Sequence, residues 1–232
     1  MAVELADLLD ELIGDPEATQ AYADYVLKYA SSGTLLELAC GTGALAQRLT
    51  AHFTVEGLDI DQAMIRRFQI RNPQCRTHGR SMIDLSGLGL YEVIVCFGDS
   101  LNYLMEEGDV QRMFQSVWDH LKPGGVFLLD AHTEARLAEF ETEFIEEGYL
   151  GSVAYQWTIQ TQPDHRLDHH LVFYDPTGVP QRLQIVQRVY SLDQLERWLK
   201  RFAWVIEVSS DFIQGVDSQA EKFFLACRKE KP

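Results

Sequence analysis

Along the first 130 residues the spacing of apolar side chains alternates between short extended-type runs and stretches repeating every three to four residues. That is the pattern of a parallel sheet whose strands are separated by helices. Residues 34–38, 53–58, 91–97 and 126–129 read as strands, with a shorter one at 75–78. Residues 108–121 put Val110, Met113, Phe114, Val117, Trp118 and Leu121 on one helical stripe, stopped by Lys122-Pro123-Gly124-Gly125.

Beyond His132 the period becomes two. Val153, Tyr155, Trp157 and Ile159, then Leu167, His169, Leu171 and Phe173, then Leu183, Ile185, Gln187 and Val189 mark three antiparallel strands, with turns at Pro163-Asp164 and Asp175-Pro176-Thr177-Gly178. This meander is expected to be inserted into the α/β core, so that residues 1–134 and 191–232 form the core and residues 135–190 an antiparallel β cap. Ser191 and Gln194 then open a capping box, a helix follows through Phe202, and strands at 204–209 and 222–227 return to the core.

A chain of 232 residues suffices for such a core and cap. Its 20 Lys and Arg against 35 Asp and Glu give a net charge of -15 with no basic cluster, which repels a phosphate backbone and excludes nucleic acid as the expected partner. The four cysteines, at 40, 75, 96 and 227, form no C-x-x-C pair and sit mostly in apolar runs, as buried thiols do in a reducing compartment. A cytoplasmic protein without a metal is therefore expected, as a monomer or homodimer acting on a small molecule. No apolar run reaches membrane-spanning length, and the acidic start lacks the basic flank of a signal peptide, so no membrane partner is expected.

Candidate chemistry begins at Leu35-Leu36-Glu37-Leu38-Ala39-Cys40-Gly41-Thr42-Gly43, an apolar strand entering a glycine turn ahead of a helix. Such a turn lets a ligand approach bare backbone. The next strand ends Gly57-Leu58-Asp59, where a carboxylate can accept both ribose hydroxyls. The spacing Gly41-x-Gly43-x-x-Ala46 also fits a loose dinucleotide fingerprint, so an NAD-dependent oxidoreductase competes with a binder of another adenosyl ligand. Glu37 would repel a pyrophosphate but suits a ligand bearing an ammonium and a sulfonium.

From Glu37 to Gly43 the sequence resembles the first motif of the class I S-adenosylmethionine-dependent methyltransferases, an acidic residue, two positions and a Cys-Gly-Thr-Gly turn. The resemblance implies a Rossmann-like seven-stranded mixed sheet, its last strand antiparallel, with helices on both faces. It implies S-adenosyl-L-methionine as cofactor, held by Glu37, Ala39, Cys40, Gly41, Gly43, Asp59, Ile60, Met64, Ser81, Met82 and Asp99, with Met64 against the adenine. Arg80-Ser81-Met82 stands where the family has an aspartate followed by methionine, which leaves the Met82 backbone amide to reach the ring. Asp99-Ser100-Leu101-Asn102-Tyr103-Leu104 and Gln187-Arg188-x-Tyr190 look like a bacterial small-molecule subgroup similar to the amino-sugar N-methyltransferases. Leu9-Asp10-Glu11-Leu12 stands at that subgroup's Tyr-Asp-Glu-Leu entry, with Leu9 in place of a tyrosine that closes over the cofactor. Methyl transfer to N or O of a small acceptor follows as the expected activity; a non-catalytic S-adenosylmethionine-binding module is a further alternative.

Methyl transfer is an in-line displacement for which positioning supplies most of the rate, and a base is needed mainly for oxygen nucleophiles. His132, ending the fifth strand, is the first candidate base, against a histidine merely bonded to loop backbone. Asp99 is either a site carboxylate or a helix cap. His169 shares a face with Leu167, Leu171 and Phe173, so a core role stands beside a catalytic one. Asn102, Tyr103, Tyr155, Trp157 and Arg188 are candidate acceptor contacts. For Tyr155 and Trp157 the other reading is a hydrophobic stripe, and for Arg188 an ion pair within the cap. The glutamates from Glu134 to Glu147 read as a solvated helix face or, if they rim the crevice, as an attraction for a cationic amine.

Overall fold

The computed structural model describes residues 5–174 and 178–230. Residues 1–4 and most of the turn expected at Asp175-Pro176-Thr177-Gly178 lie outside them. In chain order the elements are α1 (Leu5–Ile13), α2 (Pro16–Tyr29), β1 (Gly33–Leu38), α3 (Ala44–Leu49), β2 (Phe53–Asp59), α4 (Gln62–Arg71), β3 (Arg76–Gly79) and β4 (Tyr91–Cys96). A 3-10 turn (Ser100–Tyr103), α5 (Glu107–His120), β5 (Leu121–His132), α6 (Ala135–Glu139), β6 (Phe144–Leu150), β7 (Val153–Gln162), β8 (Arg166–Tyr174) and β9 (Pro180–Arg188) follow. The chain ends through α7 (Leu192–Leu199), β10 (Trp204–Ser210), β11 (Ile213–Gln214) and β12 (Lys222–Lys229).

The main sheet runs β11-β10-β12-β5-β4-β1-β2-β3, with β3, β2, β1, β4 and β5 parallel and β12 antiparallel to β5. The expected seven-stranded mixed sheet is present, lengthened at one edge by the two-residue β11. Successive residues of each strand alternate between two clusters. Leu36, Leu38, Phe127, Leu129 and Leu225 meet α5 and α7, whereas Leu35, Val93, Leu128 and Phe224 meet α2, α3 and α4. This alternation buries both faces, as a parallel sheet requires. Helix α2 starts where its pattern demands: Asp15 accepts from Glu17 N at 2.8 Å and Ala18 N at 3.0 Å, and Pro16 occupies the first turn. The capping box of Ser191 with Gln194 forms at α7.

The second sheet, β6-β7-β8-β9, is wholly antiparallel and has four strands rather than three. Its additional strand comes from the acidic segment read as a helix face. Only Ala135–Glu139 is helical, and Glu146 and Glu147 lie on edge strand β6, accepting from Tyr155 Oη and Gln156 Nε2 at 2.6 Å each. Charges on both sides of that strand hid its period and also suit a sheet edge, where they discourage pairing with another chain. The inner face of this sheet, through Val153, Leu171 and Phe173, packs on Leu8 and Leu9 of α1, so Leu9 is an apolar contact between helix and cap.

The glycine turn is built tightly on one side only. Gly43 has φ 81°, and a Cβ there would lie 2.4 Å from Asn72 Nδ2 and 2.5 Å from Phe68, both fully buried. Gly43→Ala is expected to lower the urea midpoint by an amount worth about 1–3 kcal/mol at unchanged slope. At Gly41, φ 51°, a Cβ meets nothing within 4 Å, so Gly41→Ala should carry only the left-handed backbone penalty of about 1–2 kcal/mol.

Candidate functional site

Glu37, Gly41, Asp59 and Gly98 meet at the carboxyl ends of β1, β2 and β4, where open α/β sheets bind ligands. Glu37 is buried and its Oε2 has no hydrogen-bond partner. Burial pushes its carboxyl up to about 8, only partly offset by the Ala46 amide and reinforced by nearby Asp59. A buried carboxyl oxygen without a partner, beside open space at Gly41, suits a ligand ammonium, which would favour its ionised form. Asp59 is not a helix cap; Asp61 caps α4, its Oδ1 accepting from Ala63 N at 2.7 Å. Instead Asp59 accepts from Gly41 N and Asp61 N at 2.9 Å each, which fixes its carboxylate and leaves a lone pair on each oxygen. The residues present therefore fit an adenosyl ligand with a charged amino acid tail.

The other cofactor candidates fall into two groups. Ile60, next to Asp59 in the chain, is exposed, and Met64 on α4 is half-buried beside the cluster at Leu8 and Leu9. Ala39 adopts φ 50° at the strand end. Cys40 turns its thiol inward, toward Gly57, and Met82 buries its side chain in the core, so these two can offer only backbone; Ser81 is half-buried.

A cavity of about 680 Å³ opens beside this site, between the main sheet and the cap. Asp99, Tyr103, His132, Trp157 and His169 line it, with Tyr22, Arg136, Asp211, Phe212, Gln187, Glu221 and Lys222 among the residues sequence reasoning missed. Asp99 is not a side-chain cap: it sits at φ 59° with no capping bond, its Oδ1 3.3 Å from His132 Nδ1, close but not aligned as a hydrogen bond. Burial pushes His132 down to about 4, helped by the charges of Lys222 and Arg136 and opposed by Asp130 and Glu221. His132 is thus a neutral imidazole in a crevice wall at ordinary pH.

Several expected roles change. His169 accepts from Trp157 Nε1 at 3.3 Å on Nδ1, and its Nε2 lies 3.1 Å from Gln187 Oε1; burial pushes it down to about 4. With both nitrogens engaged, the ring orients Trp157 and has no free nitrogen facing the cavity's contents. Asn102 is fully buried, bonding His132 N at 3.0 Å and Arg188 O at 2.8 Å, so it braces the crevice from behind. Arg188 donates to Met105 O at 2.9 Å, lies 3.7 Å from Glu107 and stacks over Tyr190, outside the cavity lining. Tyr155 bonds Glu146 and packs on Gly148 and is likewise absent from the lining. The sequence carries a signal for this wall in Asp130: a carboxylate at the end of Phe127-Leu128-Leu129-Asp130 needs a partner. Tyr22 gives no such signal.

Because the folded Glu37 carboxyl titrates near 8 rather than at its ordinary 4.5, its contribution to stability is present below 4.5 and is lost as pH rises through 8. Glu37→Gln should flatten that slope, stabilising the ligand-free protein above pH 8 by up to about 5 kcal/mol in urea unfolding, while weakening the cofactor.

Residues 35–125 match the family model of a methyltransferase domain. A candidate methyltransferase of Geobacillus sp. (strain WCH70) is 28% identical over 228 residues, covering 92% of each chain. The dTDP-4-amino-2,3,4,6-tetradeoxy-D-glucose N,N-dimethyltransferase of Saccharopolyspora spinosa is 32% identical over 53% of this chain and 47% of its own. An S-adenosylmethionine-dependent methyltransferase from Clostridium acetobutylicum ATCC 824 superposes with a TM-score of 0.84 over 97% of both chains at 22% identity, a likeness of fold. No helix among the described residues is long and apolar enough to cross a membrane. The domain match runs through the glycine turn and Asp59 and is to a methyltransferase rather than a dinucleotide-binding domain: residues 35–125 of the chain are similar to a methyltransferase domain.

Proposed function

We propose that the chain methylates a nitrogen of a small amine seated in the cavity between the main sheet and the cap, with His132 receiving the acceptor's proton at Nε2. The observation that carries this reading is the neutral, buried His132 on the cavity wall beside Asp99. S-adenosyl-L-methionine supplies an electrophilic methyl carbon; Glu37 and Asp59 hold its charged tail and its ribose. The residues do the rest by orientation: Tyr22, Trp157 and Phe212 offer apolar walls that exclude water and favour near-attack geometry.

Charge supports an amine. The cavity is lined by the carboxylates Asp15, Asp99, Asp211 and Glu221 and by two cations that already face carboxylates: Arg136 with Glu139 at 2.5 Å and Glu221 at 4.0 Å, and Lys222 with Asp99 at 3.1 Å. A phosphate or nucleotide arm finds no unpaired cation there among the described residues, whereas a cationic or neutral amine meets a net acidic wall. The Saccharopolyspora relative's name describes N,N-dimethylation, which favours nitrogen over oxygen as the acceptor atom.

A screen of amines with methyl-labelled S-adenosylmethionine tests the reading. The expected result is label transfer to a compact amine without a phosphate group; transfer only to hydroxyl acceptors, or only to nucleotide-linked sugars, overturns it. On the amine found, His132→Asn should lower kcat/KM about a hundredfold or more with cofactor affinity intact. Calorimetry with S-adenosylhomocysteine should show Asp59→Ala weakening binding by about 1–3 kcal/mol.

A further inference from the structure

Two half-buried groups beside the cavity have no part in the reaction as described so far, the Lys222 ammonium and the Tyr22 hydroxyl. Lys222 is the first residue of β12 and stands directly opposite His132 in the antiparallel register with β5. Its Nζ lies 3.1 Å from Asp99 Oδ2 and 3.7 Å from Asp130 Oδ2, and donates to Tyr22 Oη at 3.2 Å. Tyr22 in turn donates to Asp130 Oδ2 at 2.6 Å. Asp130, fully buried, also accepts the amides of Gly98 at 3.2 Å and Asp99 at 3.0 Å, which holds Asp99 in its left-handed conformation facing His132. One ammonium is therefore shared by two buried carboxylates at the imidazole's edge, an arrangement in which removing the cation leaves uncompensated charge.

We propose that Lys222 is a positioning residue that draws the Asp99 carboxylate into place at His132 Nδ1 and, by absorbing the field of Asp99 and Asp130, keeps the imidazole unprotonated. The groups facing His132 are Asp99 from the turn after β4, Asp130 on its own strand, Lys222 from β12 and Glu221 just before it, Arg136 from α6 and His169 from β8. Arg136 is balanced by Glu139 and Glu221. Lys222 alone of these cations stands between Asp99 and Asp130, so its loss turns both carboxylates toward attracting a proton to His132. The directions agree: burial lowers the proton affinity of His132 first and Lys222 lowers it next. The effect on turnover rests on the proton-accepting role proposed above, while the charge balance at His132 does not.

The experiment is an NMR titration of the His132 ring in the full chain, as wild type, Lys222→Met, Lys222→Gln and Lys222→Arg, with a pH profile of kcat/KM for each. The neutral variants should raise the His132 midpoint by about one pH unit or more, so that turnover falls about threefold midway between the two midpoints and about tenfold below both, and Lys222→Arg should restore both. An unchanged midpoint in folded Lys222→Met and Lys222→Gln overturns the proposal. So does loss of fold in both neutral variants with Lys222→Arg folded, because Lys222 would then be a determinant of the fold. If the midpoint moves but the acid limb of kcat/KM does not follow, Lys222 stands as the residue setting the imidazole's charge and the base role of His132 fails.

Discussion

Burying the Asp130 carboxylate at the end of an apolar strand constrains everything around it. An ionised group without water is stable only when it is paired and its lone pairs are filled, and Asp130 recruits those partners from three distant segments. Tyr22 reaches it from α2, the Gly98 and Asp99 amides from the turn after β4, and Lys222 from the antiparallel β12. Satisfying one carboxylate thereby bends the β4 turn into the left-handed region and delivers both Asp99 and His132 to the same cavity wall. Burial raises the proton affinity of Asp99 and Asp130 while Lys222 pulls it back, so the cluster's charge state depends on the last strand being docked.

The two halves of the site use different physics. On the cofactor side the groups are backbone amides, an unpaired Glu37 oxygen and an anchored Asp59, all fixed before any ligand arrives. Helix α1 ties this side to the cap: Asp10 pairs with Arg71 at 2.7 Å and accepts from Thr42 in the glycine turn, while Leu8 and Leu9 pack under the inner face of the second sheet. On the cavity side the walls are aromatic and both cations are already paired with carboxylates, which leaves nothing for direct ionic capture of an anion.

How much of this the sequence disclosed follows from the range of the interactions involved. Glu37, Gly41, Gly43 and Asp59 come together through local geometry, a strand end and the turn after it, so their juxtaposition is legible in their spacing. The strands at 153–162 and 166–174 kept a clean period of two and were equally legible. Strand β6 was not, because glutamates occupy it where apolar residues would have marked it. Arg188 and Tyr155 illustrate a different limit: periodicity assigns a face, but the side chain's end goes to the best partner in reach, Met105 O and Glu107 for one, Glu146 for the other. Tyr22 and Lys222 are 200 positions apart in the chain and meet through a carboxylate on a third element, a coincidence no local pattern encodes.

The placement of β12 has a consequence for how the protein is made. This strand, residues 222–229, lies in the interior of the main sheet between β5 and β10, although in the chain it follows β5 only after the four cap strands, α7 and β10. Until it arrives, β5 presents a bare edge of amides and carbonyls, and Asp130 at its end lacks its counter-charge. Vectorial synthesis therefore leaves an exposed, strand-accepting intermediate that the pairing of β10 and β12 onto β5 seals. The same insertion completes the sheet and the cavity wall in one step.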